Sequence, residues 1–191
     1  GDEYELVIDG NVVKNKETYN FGDITEGRSC EIILSRAERE IVKSKLTFTF
    51  LPVVEVNGMS FSSNVYTEGW LKVNDANYNG DDILNIAAFR HRGATAASKI
   101  KKAYAVKLRD DKGDGVDRSF FGLRSDNNWI LDAMAIDGAR MRNRVSTDLW
   151  LDFSTKPYLA EYEPKAINGT RGRFVEVLRN GYYDGIYCMT E

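Results

Sequence analysis

The chain has 191 residues, of which 42% are hydrophobic and 29% charged, as in an ordinary globular protein. With 26 Lys and Arg against 29 Asp and Glu, the net charge is −3, which argues against a nucleic-acid-binding protein. No apolar run is long enough to span a membrane, and the acidic, polar first residues do not resemble a signal peptide.

The first fifty residues predict a small β-rich module. An Asp9–Asn11 hairpin signal follows the first candidate strand, because Asp-Gly favours a tight two-residue turn. The segment Ala37–Lys45 fits either a helix or a charged edge strand. Two arrangements stay open: an immunoglobulin-like module, or an extension of the main sheet. The candidate strands here are Tyr4–Ile8, Cys30–Leu34 and Lys45–Phe50.

The rest of the chain, from Leu51 to Glu191, predicts an antiparallel sheet with one main helix. Pro52 marks the boundary, so we expect two domains, 1–50 and 51–191. A type I′ hairpin is predicted at Asn180-Gly181. The expected fold class is α+β, mostly β. The candidate strands are Leu51–Gly58, Gly69–Val73, Leu84–Phe89, Lys101–Arg109, Trp129–Leu131, Arg173–Leu178 and Gly185–Met189.

One amphipathic helix is predicted between the last two groups of strands. Asp137 is its expected N-cap, and the helix should end near Phe153, before a Lys-Pro pair. Its apolar side chains recur at helical spacing and should face the core. They are Met141, Val145, Leu149, Trp150 and Phe153.

The acidic loops do not predict a metal site. In Asn74–Asp82 the oxygen-bearing residues fit no standard calcium loop, so a solvated turn is favoured. Asp110–Asp117 looks like the start of an EF-hand loop. However, Lys112 would occupy the third position and Phe121 the twelfth, where oxygen ligands are needed. We therefore expect a hairpin or strand-exit loop there.

Histidine and cysteine are too sparse for most catalytic constellations. His91 is the single histidine, which argues against a Ser-His-acid triad and a catalytic zinc site. Cys30 and Cys188 lie far apart without C-x-x-C spacing and are expected to be reduced strand residues. A disulfide between them would require the two β regions to meet.

The stretch Arg90–Arg109 carries seven lysines and arginines and no acidic residue, against the charge of the rest of the chain. It predicts a strand, a turn opened by Gly93, and a second strand, which could hold phosphate through backbone N–H groups and hydroxyls such as that of Thr95. Alternation places Lys102 on the apolar face beside Tyr104. A buried ammonium needs a partner, either a bound phosphate or a carboxylate, unless its stem extends to solvent.

Five motifs in this order resemble the CotH kinase family of atypical, often secreted protein kinases. The resemblance covers Leu51–Glu191 and implies a kinase-like amino-terminal lobe whose regulatory helix is the predicted helix. It further implies that ATP and Mg²⁺ bind, with nucleotide contacts from Arg92, Gly93, Thr95, Lys102 and Arg142. The motifs are Arg92-Gly93, Lys101-Lys102-Ala103-Tyr104, Trp129-Ile130-Leu131, Asp137 with Met141-Arg142-Asn143, and Asn180-Gly181 through Glu191.

In that family the catalytic and metal-binding aspartates follow the last motif, at whose glutamate, Glu191, this chain stops. The resemblance therefore implies the nucleotide-phosphate-binding half of a kinase that acts on a protein substrate, without turnover in this chain alone. It also implies an extracytoplasmic or cell-surface protein of a bacterium. The alternative is a non-catalytic extracellular β-rich module that binds protein or glycan through tyrosines such as Tyr182 and Tyr183.

Overall fold

The computed structural model describes residues 4–58, 61–62, 64–75, 83–163 and 166–191. The chain forms two compact units, Gly1–Phe50 and Leu51–Glu191. Both are built mainly from antiparallel strands, and the described residues of the second also form one α-helix. The predicted class, α+β with mostly β structure, is confirmed.

The first unit contains one four-stranded antiparallel sheet in the order β2-β1-β3-β4. Asp9 and Gly10 both have positive φ, which forms the predicted two-residue turn between β1 and β2. The segment Ala37–Lys45, for which a helix and an edge strand stayed open, lies mostly in the charged edge strand β4. No second sheet, as an immunoglobulin sandwich requires, occurs among the described residues of this unit. The strands are β1 Tyr4–Ile8, β2 Asn11–Val13, β3 Ser29–Arg36 and β4 Arg39–Thr47.

The second unit is a closed seven-stranded barrel in the order β10-β11-β9-β8-β7-β6-β5. All neighbouring strands are antiparallel except β5 and β10, whose parallel pairing closes the barrel. The strands are β5 Val53–Gly58, β6 Thr67–Asn74, β7 Ile83–Arg92, β8 Ala103–Arg109, β9 Asn128–Asp132, β10 Gly172–Arg179 and β11 Tyr182–Thr190.

Apolar side chains that alternate along the strands fill the barrel. Each strand sends every second residue inward, which excludes water from a continuous core. Trp129 is fully buried and packs edge-on against Phe120, whose ring centroid is 5.2 Å away. The largest fully buried side chains of the unit are Trp129, Tyr187, Phe89, Leu71, Leu108, Leu131 and Met189.

The turns of the second unit follow the local signals. Asn180 and Gly181 both have positive φ and form the predicted turn between β10 and β11. After β8, the Asp110 carboxylate accepts the N–H groups of Lys112 and Asp114, which gives the expected strand-exit loop. Of the other acidic loop, residues 76–82 lie outside the described residues.

The helix α1 comprises Arg142–Phe153, so it begins four residues later than predicted. Asp137 is not its N-cap. Its carboxylate instead accepts the N–H groups of Ala139, Met141 and Arg142 from an irregular turn that precedes the helix. The prediction failed because a carboxylate can satisfy N–H groups at the start of a helix from several residues upstream.

The predicted orientation of α1 is also wrong. Arg144 is the buried residue of the helix, at 7% exposure, whereas the apolar side chains are exposed. The helix instead contacts its surroundings through Arg144, Thr147 and Leu151, at spacings of three and four residues, and the latter two pack near Gly169. The exposed apolar side chains are Met141, Val145, Leu149, Trp150 and Phe153.

Both cysteines are free and buried, as expected for reduced strand residues, Cys30 in the first unit and Cys188 in the second. Burial raises the pKa of the Cys188 thiol. Among the described residues, no helix has the length and apolar content that a membrane crossing requires.

Candidate functional site

The connection between β7 and β8 lies at the centre of the basic stretch. β7 ends at Arg92, a short 3₁₀ turn follows at Thr95–Ser98, and β8 begins at Ala103. Gly93 has a φ of 92°, and a Cβ at this position would lie only 3.0 Å from the Ala96 Cβ. A side chain at position 93 would therefore be strained as well as crowded, which explains the glycine.

The barrel wall divides the basic stretch into two groups. Adjacent residues of a strand point to opposite faces, so His91 and Arg92 diverge. Arg92 lies on the outer face, where it lines a cavity together with residues of α1. His91 and Lys102 lie at the mouth of the barrel and line a different cavity. The stretch Arg90–Arg109, which the sequence predicts as one phosphate-binding turn, thus contributes residues to two separate cavities.

The outer cavity, between the β7–β8 connection and the start of α1, has a volume of about 660 Å³. Three of the five predicted nucleotide-binding residues line it: Arg92, Gly93 and Arg142. Asn143, at the amino end of α1, lines it too. This end of a helix carries a positive partial charge, which favours anions, and Asp137 already accepts the N–H of Arg142 there.

An ion pair fixes one side of the outer cavity. The guanidinium of Arg142 lies 2.8 Å from the Asp137 carboxylate. The backbone N–H of Arg142 is the main cause that lowers the pKa of Asp137, and the N–H groups of Ala139 and Met141 add to it, so the carboxylate is stably ionised. The side chain of Arg142 is largely exposed and can still offer donors to a ligand.

The acidic groups of the outer cavity are engaged within the protein. Both oxygens of Asp137 accept hydrogen bonds, one from the N–H of Ala139 in the turn before α1 and one from the N–H of Arg142 at its start. One oxygen of Asp132 accepts the N–H of Met134 at 2.9 Å. In the described part of the chain, no three His, Cys, Asp or Glu side chains converge as a metal site would require. The cavity is therefore suited to an anion better than to a bare metal ion.

A smaller cavity of about 170 Å³ adjoins the outer cavity beneath α1, and both are lined by Arg92 and Asp132. Arg144 lines it from the helix and donates to the carbonyl of Thr170 at 2.6 Å. The Nε of Arg144 is buried and has no hydrogen-bond partner among the described residues. This guanidinium holds the helix against the outer face of the barrel.

The remaining predicted residues lie elsewhere. Lys102 lines the barrel mouth, and its Nζ donates to the carbonyl of Ala97 at 2.6 Å. Its expected inward placement beside Tyr104 is confirmed, and the partner within the chain is a neutral carbonyl rather than a carboxylate. Thr95 is exposed on the 3₁₀ turn and is not among the described residues that line either cavity.

Three residues of these cavities escaped sequence reasoning. Asp132 follows a buried strand directly, which is a common place for functional side chains and could have drawn notice. Arg179 and Asp184 flank the predicted Asn180-Gly181 turn, and they form an ion pair of 3.3 Å at the barrel mouth. Their opposite charges on either side of a hairpin turn were the available signal.

The comparisons with known proteins agree with the motifs. The family model described as CotH kinase protein matches residues 89–191, a span that contains the outer cavity and α1. No curated protein matches the chain.

Proposed function

Since the chain belongs to the CotH kinase family, we propose that it binds the phosphates of ATP in the outer cavity. Arg92 and Arg142 donate hydrogen bonds to the phosphate oxygens, and the absence of a side chain at Gly93 lets the ligand approach the backbone. For this chain we propose nucleotide binding rather than catalysis. The family resemblance implies that the complete kinase transfers phosphate to a protein and that it is located outside the cytoplasm.

One observation carries the proposal: Arg92, Gly93 and Arg142 converge on one cavity although they come from different elements. Arginine presents planar, forked donors that match phosphate oxygens, and bonds from a charged donor are stronger than neutral ones. A cavity of about 660 Å³ lies within the usual range for small-molecule sites. The start of α1 also borders the cavity, through Asn143.

Mg²⁺ enters this proposal only as the counter-ion of ATP. The carboxylates of Asp132 and Asp137 accept hydrogen bonds from the chain itself. The chain thus holds both carboxylates in place, and Mg²⁺ is usually bound through one or two carboxylates together with substrate phosphates rather than by the protein alone. When bound, the ion would neutralise phosphate charge, while the arginines orient the phosphates.

The test is to titrate the protein with MgATP and to measure the dissociation constant by isothermal titration calorimetry. Arg92→Ala should weaken binding about tenfold to a hundredfold, because it removes hydrogen bonds from a charged donor. Arg142→Ala should also weaken it, but less, since this guanidinium is already paired with Asp137. Arg118→Ala is the matched control, because Arg118 is exposed and lines neither cavity.

Equal affinity of the Arg92 variant and the wild type would contradict the assignment of this cavity. If the wild type does not bind MgATP at all, the alternative gains weight: a module that binds another protein. The exposed apolar side chains of α1 favour that alternative, because clustered exposed apolar surface marks interaction sites. They include Trp150 and Phe153, the latter 70% exposed.

A further inference from the structure

The mouth of the barrel holds a second cluster of charged side chains. Strands β5, β7, β8, β10 and β11 all begin or end there, and the cavity between them has a volume of about 350 Å³. It is lined by His91, Lys102, Tyr104, Arg179 and Asp184. None of the residues of this cavity lines the outer cavity.

Asp184 is the carboxylate of this cluster, and protein groups already share it. It accepts the hydroxyl of Tyr187 at 2.8 Å and that of Tyr104 at 3.4 Å. It also pairs with the Nε of Arg179 at 3.3 Å. Burial raises the pKa of both tyrosines, so both phenols stay neutral and act as donors. Asp184 thus balances one positive charge.

Lys102 and Arg179 together bring two positive charges to the cavity. Lys102 Nζ donates to the carbonyl of Ala97, which is neutral, and no carboxylate among the described residues pairs with this ammonium. After Asp184 is counted, one positive charge remains in excess at the mouth. A partly buried charge without a counter-charge is costly, and a bound anion would remove that cost.

The walls of this cavity are held in place. The side-chain amide of Asn180 exchanges two hydrogen bonds of 3.0 Å with the backbone of Gly58, which ties the β10–β11 turn to the end of β5. A Cβ at Gly58 would lie 2.5 Å from the ring of Phe61. Preorganised donors lose little entropy on binding, so such a frame favours a ligand of fixed shape.

We propose that the barrel mouth is a second anion site that binds a phosphate group, as inorganic phosphate or as a small phosphate monoester, between Lys102, Arg179 and His91. The volume suits a compact ligand. The ammonium of Lys102 supplies a point charge, the fork of Arg179 supplies directional donors, and the imidazolium of His91 donates when it is protonated. The site is independent of the outer cavity and of the proposed nucleotide binding.

His91 makes the proposal directly measurable, because it is the single histidine in the chain. Its ring lies 5.6 Å from that of Tyr104, centroid to centroid. Burial lowers the pKa of His91, and the charges of Lys102 and Arg179 lower it further. A bound phosphate would counter those two charges. It should therefore favour the imidazolium and raise the pKa of His91.

The experiment follows the imidazole proton resonances of His91 by NMR across pH, with and without inorganic phosphate, at an ionic strength matched with NaCl. We expect phosphate to raise the pKa of His91 by about one unit, which corresponds to about tenfold tighter binding to the protonated form. Acetate at the same ionic strength should have a much smaller effect, since it carries one charge and two oxygens.

Variants separate the two sites. Lys102→Met and Arg179→Gln should abolish the response to phosphate, whereas Arg92→Ala should keep it. Arg179 is about half exposed, so its variant tests the site even if Lys102→Met does not fold. The proposal is overturned if phosphate leaves the wild-type titration of His91 unchanged, or if both variants respond like the wild type. A shift that only MgATP causes, and that Arg92→Ala removes, would instead assign the mouth to the nucleotide site.

Discussion

Replacing Arg144 by alanine tests the unexpected orientation of α1. The substitution removes a charged hydrogen bond to the carbonyl of Thr170, which contributes about 1.5–3 kcal/mol. It also removes an ion pair with the half-exposed Asp148, which contributes less than about 1 kcal/mol, and two buried methylenes, which contribute about 1.5 kcal/mol.

One term opposes this loss. The Nε of Arg144 is buried without a partner among the described residues, and its removal recovers about 1–3 kcal/mol. The expected net loss of unfolding free energy is therefore about 2 kcal/mol. Leu149→Ala is the matched control on the same helix. Leu149 is 54% exposed, so its loss should stay below about 0.5 kcal/mol.

The assay is urea unfolding followed by tryptophan fluorescence. Trp70, Trp129 and Trp150 are the three tryptophans of the chain, and all lie in the unit Leu51–Glu191, so the signal reports on the barrel and its helix. If Leu149→Ala destabilises the protein more than Arg144→Ala does, the helix packs through its apolar face and the orientation described above is refuted.

Two further predictions concern stability. The side chain of Glu191 is only 3% exposed. Burial alone would raise the pKa of this carboxyl group. Hydrogen bonds from the guanidinium of Arg171 and from the N–H of Arg124 outweigh burial and lower the pKa. The stabilising contribution of the Glu191 carboxylate is therefore complete above its unfolded pKa of about 4.3 and is lost as the pH falls through its lower folded pKa. Glu191→Gln should then reduce the loss of unfolding free energy between neutral and acidic pH. The same acid dependence in the variant and the wild type would count against this assignment. Gly69→Ala should cost more than about 3 kcal/mol, because the new Cβ would lie 1.8 Å from a backbone oxygen of the paired strand β5. Gly138→Ala, with open space around it, should change stability by less than about 0.5 kcal/mol, and similar values for the two variants in urea unfolding would disprove the crowding argument.

Local signals in the sequence predicted the hairpins well. Asp9-Gly10 and Asn180-Gly181 form tight turns because both positions of such a turn need positive φ, which these residue types tolerate. The parallel contact between β5 and β10 was beyond such reasoning. It joins distant strands, and neither strand carries a local pattern that identifies its partner.

The helix shows where periodicity misleads. The stripe from Met141 to Phe153 has regular helical spacing, but a pattern specifies only that one face is apolar, not which neighbour covers it. The sequence did not indicate which face of α1 packs against the barrel, because that face depends on one buried arginine, Arg144. Arginine normally lies on the surface. Its long stem allowed it to be buried while its guanidinium found a carbonyl.

The candidate site was predicted in part. The basic stretch Arg90–Arg109 drew attention to the β7–β8 connection, which lines the outer cavity. Alternation was applied from Ile100 onward, which placed Lys102 inward as observed. Applied to β7 as well, the same rule would have placed His91 and Arg92 on opposite faces of the barrel wall. The contributions of Arg179 and Asp184 depend on the closure of the barrel, which the sequence does not disclose.

The closure of the barrel has a consequence for how the protein folds during its synthesis on the ribosome. The bonds between Gly58 and Asn180 join residues 122 positions apart, so the barrel cannot close until nearly the whole unit has been synthesised. Until then β5 is the unpaired edge of an open sheet, and such edges template pairing with other chains. Non-local pairing is also slow. We expect the hairpins to form first on the nascent chain, and the seam between β5 and β10 to form last.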